Sequence, residues 1–197
     1  SSDLKTEEMI KLPVRLEEHD TWESAVTGAI AKRAELAEQA KADRAGYIRP
    51  IVLFQAEDKN REVTVEVLKQ YLLDQGIDKD AIAIATGDQR GLDKINLFDP
   101  DCAIEYVITV EALKEGWDCS FAYVFCSVAN IKSSTDAEQL LGRVLRMPYA
   151  KRRKSDALNK AYAHLVSKSF AEAANALRDR LVEMGFDEKE AEANIET

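Results

Sequence analysis

The sequence is short of cysteine, of glycine-rich loops and of long apolar runs, and each shortage removes a class of protein. Its three cysteines, Cys102, Cys119 and Cys126, share no close metal spacing, and an odd number cannot close completely into a disulfide framework. They are read as reduced thiols. No stretch reaches the ~18 consecutive apolar residues of a membrane span, and no charged-then-apolar segment opens the sequence. No strand-like run is followed by Gly-x-Gly-x-x-Gly, which argues against a simple dinucleotide-binding enzyme. The two histidines, His19 and His164, are isolated in sequence and near no acid–base constellation, so both are read as structural, and no metal site is expected.

What is present suffices for one sizeable core: 197 residues, 46% of them hydrophobic. The net charge of −9, from 27 basic and 36 acidic residues, argues weakly against a stand-alone nucleic-acid binder. The charge is unevenly spread. Glu183, Asp187, Glu188, Glu190, Glu192 and Glu196 crowd the last stretch, while Lys151, Arg152, Arg153 and Lys154 form a basic run. That run suits either a DNA contact or a solvated loop. The sequence begins in mid-pattern at Ser1, which suggests a piece of a longer, cytoplasmic protein.

Periodicity predicts alternating strands and helices. Leu12–Leu16 reads as a short edge strand, since Pro13 is tolerated only at an edge. Asp20 or Thr21 caps a helix running to about Arg44. The continuous apolar run Pro50–Phe54 predicts a strand covered on both faces. A helix over 60–75 stops at Gly76, and strands follow at 81–85, 104–109, 122–127 and 161–166. Short helices are expected at 111–115 and 136–147, the second ending before Pro148, then at 171–183 and 188–195. Alternation of this kind implies an α/β fold built on a parallel sheet, with functional groups beyond the carboxyl ends of its strands. Three stretches are expected: residues 1–46 as a lead-in strand and helix, 47–167 as the α/β domain, and 168–197 as a helical extension.

The most informative segment is Gln139-Leu140-Leu141-Gly142-Arg143-Val144-Leu145-Arg146. On a helix, Gln139, Gly142, Arg143 and Arg146 fall at i, i+3, i+4 and i+7 and share a face, with the leucines and Val144 opposite. Glycine inside a helix costs ~1 kcal/mol relative to alanine, and close approach of a ligand or backbone is one reason to keep it. Two guanidinium forks on one stripe match phosphate oxygens. On spacing alone, an amphipathic helix with solvated arginines fits as well.

The pattern Q-x-x-G-R-x-x-R resembles motif VI of superfamily 2 helicases. Upstream, 108–118 (ITVEALKEGWD) resembles motif V, and Ile51–Gln55 resembles the motif IV strand, with Ala85-Thr86-Gly87 where a strand-end DNA-contacting segment would lie. The wording EALKEGWDC followed by EQLLGRVLRMPYA looks most like the motor of type III restriction enzymes, in their DNA-cleaving subunit. The resemblance implies a RecA-like second motor domain of an ATP-dependent DNA helicase or translocase. Arg143 and Arg146 would be arginine fingers toward ATP, and Gln139 would position the nucleotide or the attacking water. Gly116, Asp118 and Gly142 would lie along the nucleotide, while Thr109, Thr86 and Gln55 would touch the nucleic-acid backbone. Implied partners are double-stranded DNA, the N-terminal RecA-like domain of the same full-length protein, and a modification (methyltransferase) subunit. No P-loop and no DEAD-like or DEAH-like tetrapeptide occurs here, so ATP with Mg²⁺ would be held mainly by the other domain, and this chain alone is expected to be inactive.

Two further echoes are discounted. Pro100-Asp101 with Asp187-Glu188-Lys189 is spaced too widely for a nuclease, and Met184-Gly185-Phe186 reads as a helix–turn–helix of the domain itself rather than a ubiquitin-associated domain. Trp117 suits packing or stacking on a base. A helicase-like motor with no restriction role, and a degenerate module without turnover, remain as alternatives.

Overall fold

The computed structural model describes residues 9–44, 46–86, 95–110, 119–129, 139 and 141–197. Within them lie strands β1 (Val14–His19), β2 (Ile51–Gln55), β3 (Ile82–Ile84), β4 (Tyr106–Thr109), β5 (Ala122–Ser127), β6 (Ala161–Val166) and β7 (Ile195–Glu196). They form one sheet in the order β3-β4-β2-β5-β6-β1-β7, and every pairing is parallel. Helices α1 (Trp22–Ala42), α2 (Val65–Asp74), α3 (Ser167–Glu183) and α4 (Glu188–Ala193) accompany it. The α/β parallel-sheet class expected from the alternating pattern is therefore observed.

Local chemistry explains most boundaries. The Thr21 side chain accepts a hydrogen bond from Ser24 N at 3.1 Å and so starts α1. Thr64 does the same for α2 by accepting from Val67 N at 3.3 Å, so that helix begins at Val65 rather than near residue 60. Gly76, at φ +90°, ends it in a conformation that side-chain-bearing residues rarely adopt. Every residue of β2, β5 and β6 is buried, as a strand covered on both faces requires.

The structure corrects two readings at the ends of the chain. β1 is not an edge strand. It starts after Pro13, pairs with β6 along its whole length, and is flanked on its other side by β7 at Val14 and Arg15. Pro13 lies just outside the strand, where its missing N–H removes no ladder bond. The final helix also stops at Ala193, because Ile195 and Glu196 turn into β7. Residues of all three expected stretches, from Ile10 to Ala191, contribute to one hydrophobic core. The Met184–Phe186 segment joins α3 to α4, and the Asp187 carboxylate caps α4 by accepting from Glu190 N at 2.8 Å.

A buried lysine ties the N-terminal segment down. Lys11 is fully buried; its Nζ donates to Ala122 O at 2.7 Å and Val144 O at 2.6 Å and sits 4.3 Å from the centre of the Tyr123 ring. Carbonyl dipoles and an aromatic face offset the desolvation that an ammonium otherwise suffers.

The basic run divides. Lys151, Arg152 and Lys154 are exposed, but Arg153 is buried. Its Nε donates to the Asp43 carboxylate at 3.0 Å and its Nη2 to Gly46 O at 2.6 Å, while its backbone N–H donates to Asn159 Oδ1 at 2.6 Å. The preceding turn carries Tyr149 and Ala150 at φ of 58° and 52°, and the Tyr149 hydroxyl holds it by donating to Tyr47 O at 2.7 Å. Arg153 therefore serves the fold and cannot touch DNA. Removing one partner of such a pair strands a buried charge, so Asp43→Ala is expected to cost about 3–5 kcal/mol. Denaturant unfolding checks this; a loss under about 1 kcal/mol would mean the pair contributes little.

Candidate functional site

Parallel strands deliver their last residues to one edge, and the three adjacent strands β4, β2 and β5 all end there in polar side chains. Thr109 ends β4, Gln55 ends β2 and Ser127 ends β5, and the register places Gln55 opposite both of the others. Ser127 Oγ donates to Gln55 Oε1 at 2.7 Å, and Gln55 Nε2 donates to Val110 O at 3.4 Å. Thr86 follows β3 beyond Ala85, half-buried. The structure thus brings together the sequence-predicted Gln55 and Thr109, and adds Ser127, which sequence reasoning missed. All three are buried, at 8%, 1% and 0% exposure. The Ser127 hydroxyl and the Gln55 amide tie the ends of β5, β2 and β4 together. Gly87, Gly116, Trp117 and Asp118, with the helix expected at 111–115 and the first residues of the one expected at 136–147, lie outside the described residues.

The arginine segment is amphipathic as its spacing predicts, but it ends early. Residues 141–144 are helical and Gln139 is helical and exposed. Leu141, Val144 and Leu145 are buried, whereas Arg143 is half-buried and Arg146 exposed. Arg146 is not on the helix. It forms an antiparallel bridge with Ile10, fixed by Lys11 N donating to Leu145 O at 2.6 Å and Met147 N donating to Met9 O at 2.7 Å. The N-terminal segment captures these backbone groups two residues before Pro148 would have ended the helix. Gln139, Gly142 and Arg143 thus keep their helical assignment, whereas Arg146 stands on non-helical backbone paired with Ile10.

Gly142 has a visible neighbour. A Cβ there would sit 3.3 Å from Arg180 Nε of α3, tighter than ordinary contact. The close approach that a helical glycine permits is thus made by a third guanidinium, beside Arg143. No spacing rule connects residues 142 and 180.

The arginine segment and the polar row are separated. Because Lys11 Nζ joins Val144 O to Ala122 O, the helix end lies at the amino end of β5, while Ser127 lies at its carboxyl end. At ~3.3 Å per residue, the strand between them spans roughly 17 Å.

A second polar cluster forms where the sequence offered none. Glu17 and His164 are register partners across β1 and β6, and His19 lies two residues on, on the same face. His19 Nε2 and His164 Nδ1 are 2.9 Å apart, Glu17 Oε2 is 3.4 Å from His164 Nδ1 and 4.0 Å from His19 Nε2, and His19 Nδ1 contacts Ser24 Oγ at 2.9 Å. The histidines are 145 residues apart in the chain, and only the β1–β6 pairing joins them. A histidine inside an otherwise apolar strand was the one available signal. Burial pushes the His164 pKa down to about 4; Glu17 opposes this, while His19 and Lys32 reinforce it. Burial also raises the pKa of the Cys126 thiol, which keeps it protonated and unreactive.

Comparison with known proteins adds little. No family model matches the chain, and no curated protein does. Among solved structures it is similar to the ATP-dependent Type ISP restriction-modification enzyme LlaBIII bound to DNA, at 16% identity and a TM-score of 0.47. The match covers 86% of this chain and 14% of that one. The α/β assignment rests on the strand pairing itself.

His164 supplies a pH test. The unfolded chain takes up its proton near pH 6.5 and the folded chain only near 4, so stability present above pH 6.5 is lost as pH falls through that window. Between pH 7 and 5 the loss from this group should be on the order of 1–2 kcal/mol. Denaturant unfolding of the wild type and His164→Asn should show a shallower pH dependence in the variant; parallel curves would contradict it.

Proposed function

We propose that this chain is the second RecA-like domain of an ATP-dependent superfamily 2 motor acting on double-stranded DNA, of the kind found in the DNA-cleaving subunit of type III restriction enzymes. One observation carries the reading. Within the segment Gln139–Arg146, Leu141, Val144 and Leu145 pack into the core of a parallel sheet while Gln139 and Arg146 are exposed, with Arg143 half-buried between them. A triphosphate held by another domain is reached only by groups that stand clear of this domain's core, and these do.

In that role the chain forms one wall of a composite site. Bound ATP with Mg²⁺ supplies the transferable γ-phosphoryl group. Arg143 and Arg146 place fixed positive charge toward it and stabilise negative charge that develops on its oxygens. Gln139, on the same face, orients the nucleotide or the attacking water. Gly142 fits this site less directly than the spacing suggested, because its open side faces Arg180. Gly116 and Asp118 are assigned to the nucleotide on their resemblance to motif V, Gly-x-Asp, in the sequence.

DNA contacts are assigned to the carboxyl edge, where Thr86 is half-buried. Thr109 and Gln55 are buried there, and Gln55 acts by holding Val110, the residue after β4, through its carbonyl. A modification subunit would supply sequence recognition, for which this domain carries no candidate among its described residues. The alternative of a module without turnover draws support from the same burial, because it leaves two named DNA-contacting side chains inside.

The test uses the chain combined with its N-terminal motor half and DNA. Arg143→Ala and Arg146→Ala should each lower DNA-stimulated ATP turnover by roughly 10³-fold while the domain stays folded by circular dichroism. Unchanged turnover in both variants would leave the stripe a solvated face and favour the binding module.

A further inference from the structure

The Glu17–His19–His164 cluster has no part in the proposed motor site, yet its donors converge. The three ligand atoms, His19 Nε2, His164 Nδ1 and Glu17 Oε2, stand 2.9, 3.4 and 4.0 Å from one another. Donor atoms held ~2.0–2.1 Å from a zinc ion at the tetrahedral angle stand about 3.4 Å apart. The observed separations bracket that value, so small side-chain rotations suffice to make the set regular. From these atoms we infer a binding site for a borderline divalent transition-metal ion, zinc in the first instance, held by two imidazoles and one carboxylate.

Three features outside the triad support the assignment. Ser24 Oγ lies 2.9 Å from His19 Nδ1, so that nitrogen can carry the proton and direct the Nε2 lone pair into the cluster. His164 is 2% exposed and its Nε2 has no hydrogen-bond partner, so the ring's polar contacts all lie on the Nδ1 side. Burial also keeps this ring neutral at pH 7, the form that binds a metal. Finally, α1 passes over the pair at Gly28, where a Cβ would lie 2.9 Å from His164 Nδ1 and 3.0 Å from His19 Cε1. Glycine in a helix interior costs ~1 kcal/mol against alanine, and here it lets α1 pass close to the two rings without a side chain striking them.

The competing arrangement is a plain hydrogen bond between the rings. It uses only one proton and leaves Glu17, 38% exposed, with no required place. The Lys32 ammonium opposes a second cation nearby, but it is engaged by Glu35 at 3.2 Å and by the Tyr162 ring. Two imidazoles and a carboxylate leave a fourth position for water or an anionic ligand, as in open zinc sites.

The test is calorimetric titration of the metal-free chain with Zn²⁺, together with the absorption spectrum of the Co²⁺ form. One equivalent should bind, with cobalt bands typical of nitrogen and oxygen ligation and no thiolate charge transfer. His19→Ala and Glu17→Gln should each weaken binding by at least about 100-fold, and Gly28→Ala should also weaken it. Cys102→Ser, which alters the one cysteine that is not buried, should leave binding unchanged. Absence of stoichiometric binding, wild-type affinity in His19→Ala or Glu17→Gln, or loss on Cys102→Ser would each overturn the site. Glu17→Gln is nearly isosteric at a part-exposed position, so it reports on ligation even if a histidine variant fails to fold.

Discussion

The organisation of this domain depends on the placement of β1. β1 enters the sheet beside β6, and the residues before it are fixed by a buried ammonium. Lys11 binds the carbonyls of Ala122 and Val144, so the N-terminal segment, the start of β5 and the end of the arginine helix meet at one point. A buried lysine survives only where such acceptors are preformed. The same clamp sets the bridge between Ile10 and Arg146 and thereby the backbone on which the second arginine stands.

Two consequences follow from β1. It turns the carboxyl-terminal β7 into part of the same sheet, because Val14 pairs with Ile195. It also brings Glu17 and His19 to His164, creating the only cluster of histidine and carboxylate ligands suited to a metal among the described residues. The arginine stripe and the proposed metal site therefore share a structural origin while remaining chemically separate.

Sequence patterns exposed the fold where local chemistry is decisive. β5 and β6 fall at the residues expected, because continuous apolar runs of strand length have few other solutions in an alternating α/β chain. The arginine stripe was legible from helical spacing through Arg143. Beyond it, pairing with Met9 and Lys11 took over, and no local rule anticipates a partner more than a hundred residues away. The edge-strand reading failed for a related reason: Pro13 marks where the ladder begins but cannot say which strands lie on either side. The histidine cluster, the Arg180 approach to Gly142 and the Asp43–Arg153 pair are all products of long-range register. Side chains alone did not reveal that Gln55 and Thr109 would be buried, since polar residues at strand ends suit a surface equally well.

We propose that this domain supplies one wall of a nucleotide site completed by another domain. The most direct measurement is the affinity of the chain for its N-terminal motor half with a non-hydrolysable ATP analogue and with ADP. Tighter association is expected with the triphosphate, because only that form presents a γ-phosphate to Arg143 and Arg146. Equal affinity in the two nucleotide states would contradict it.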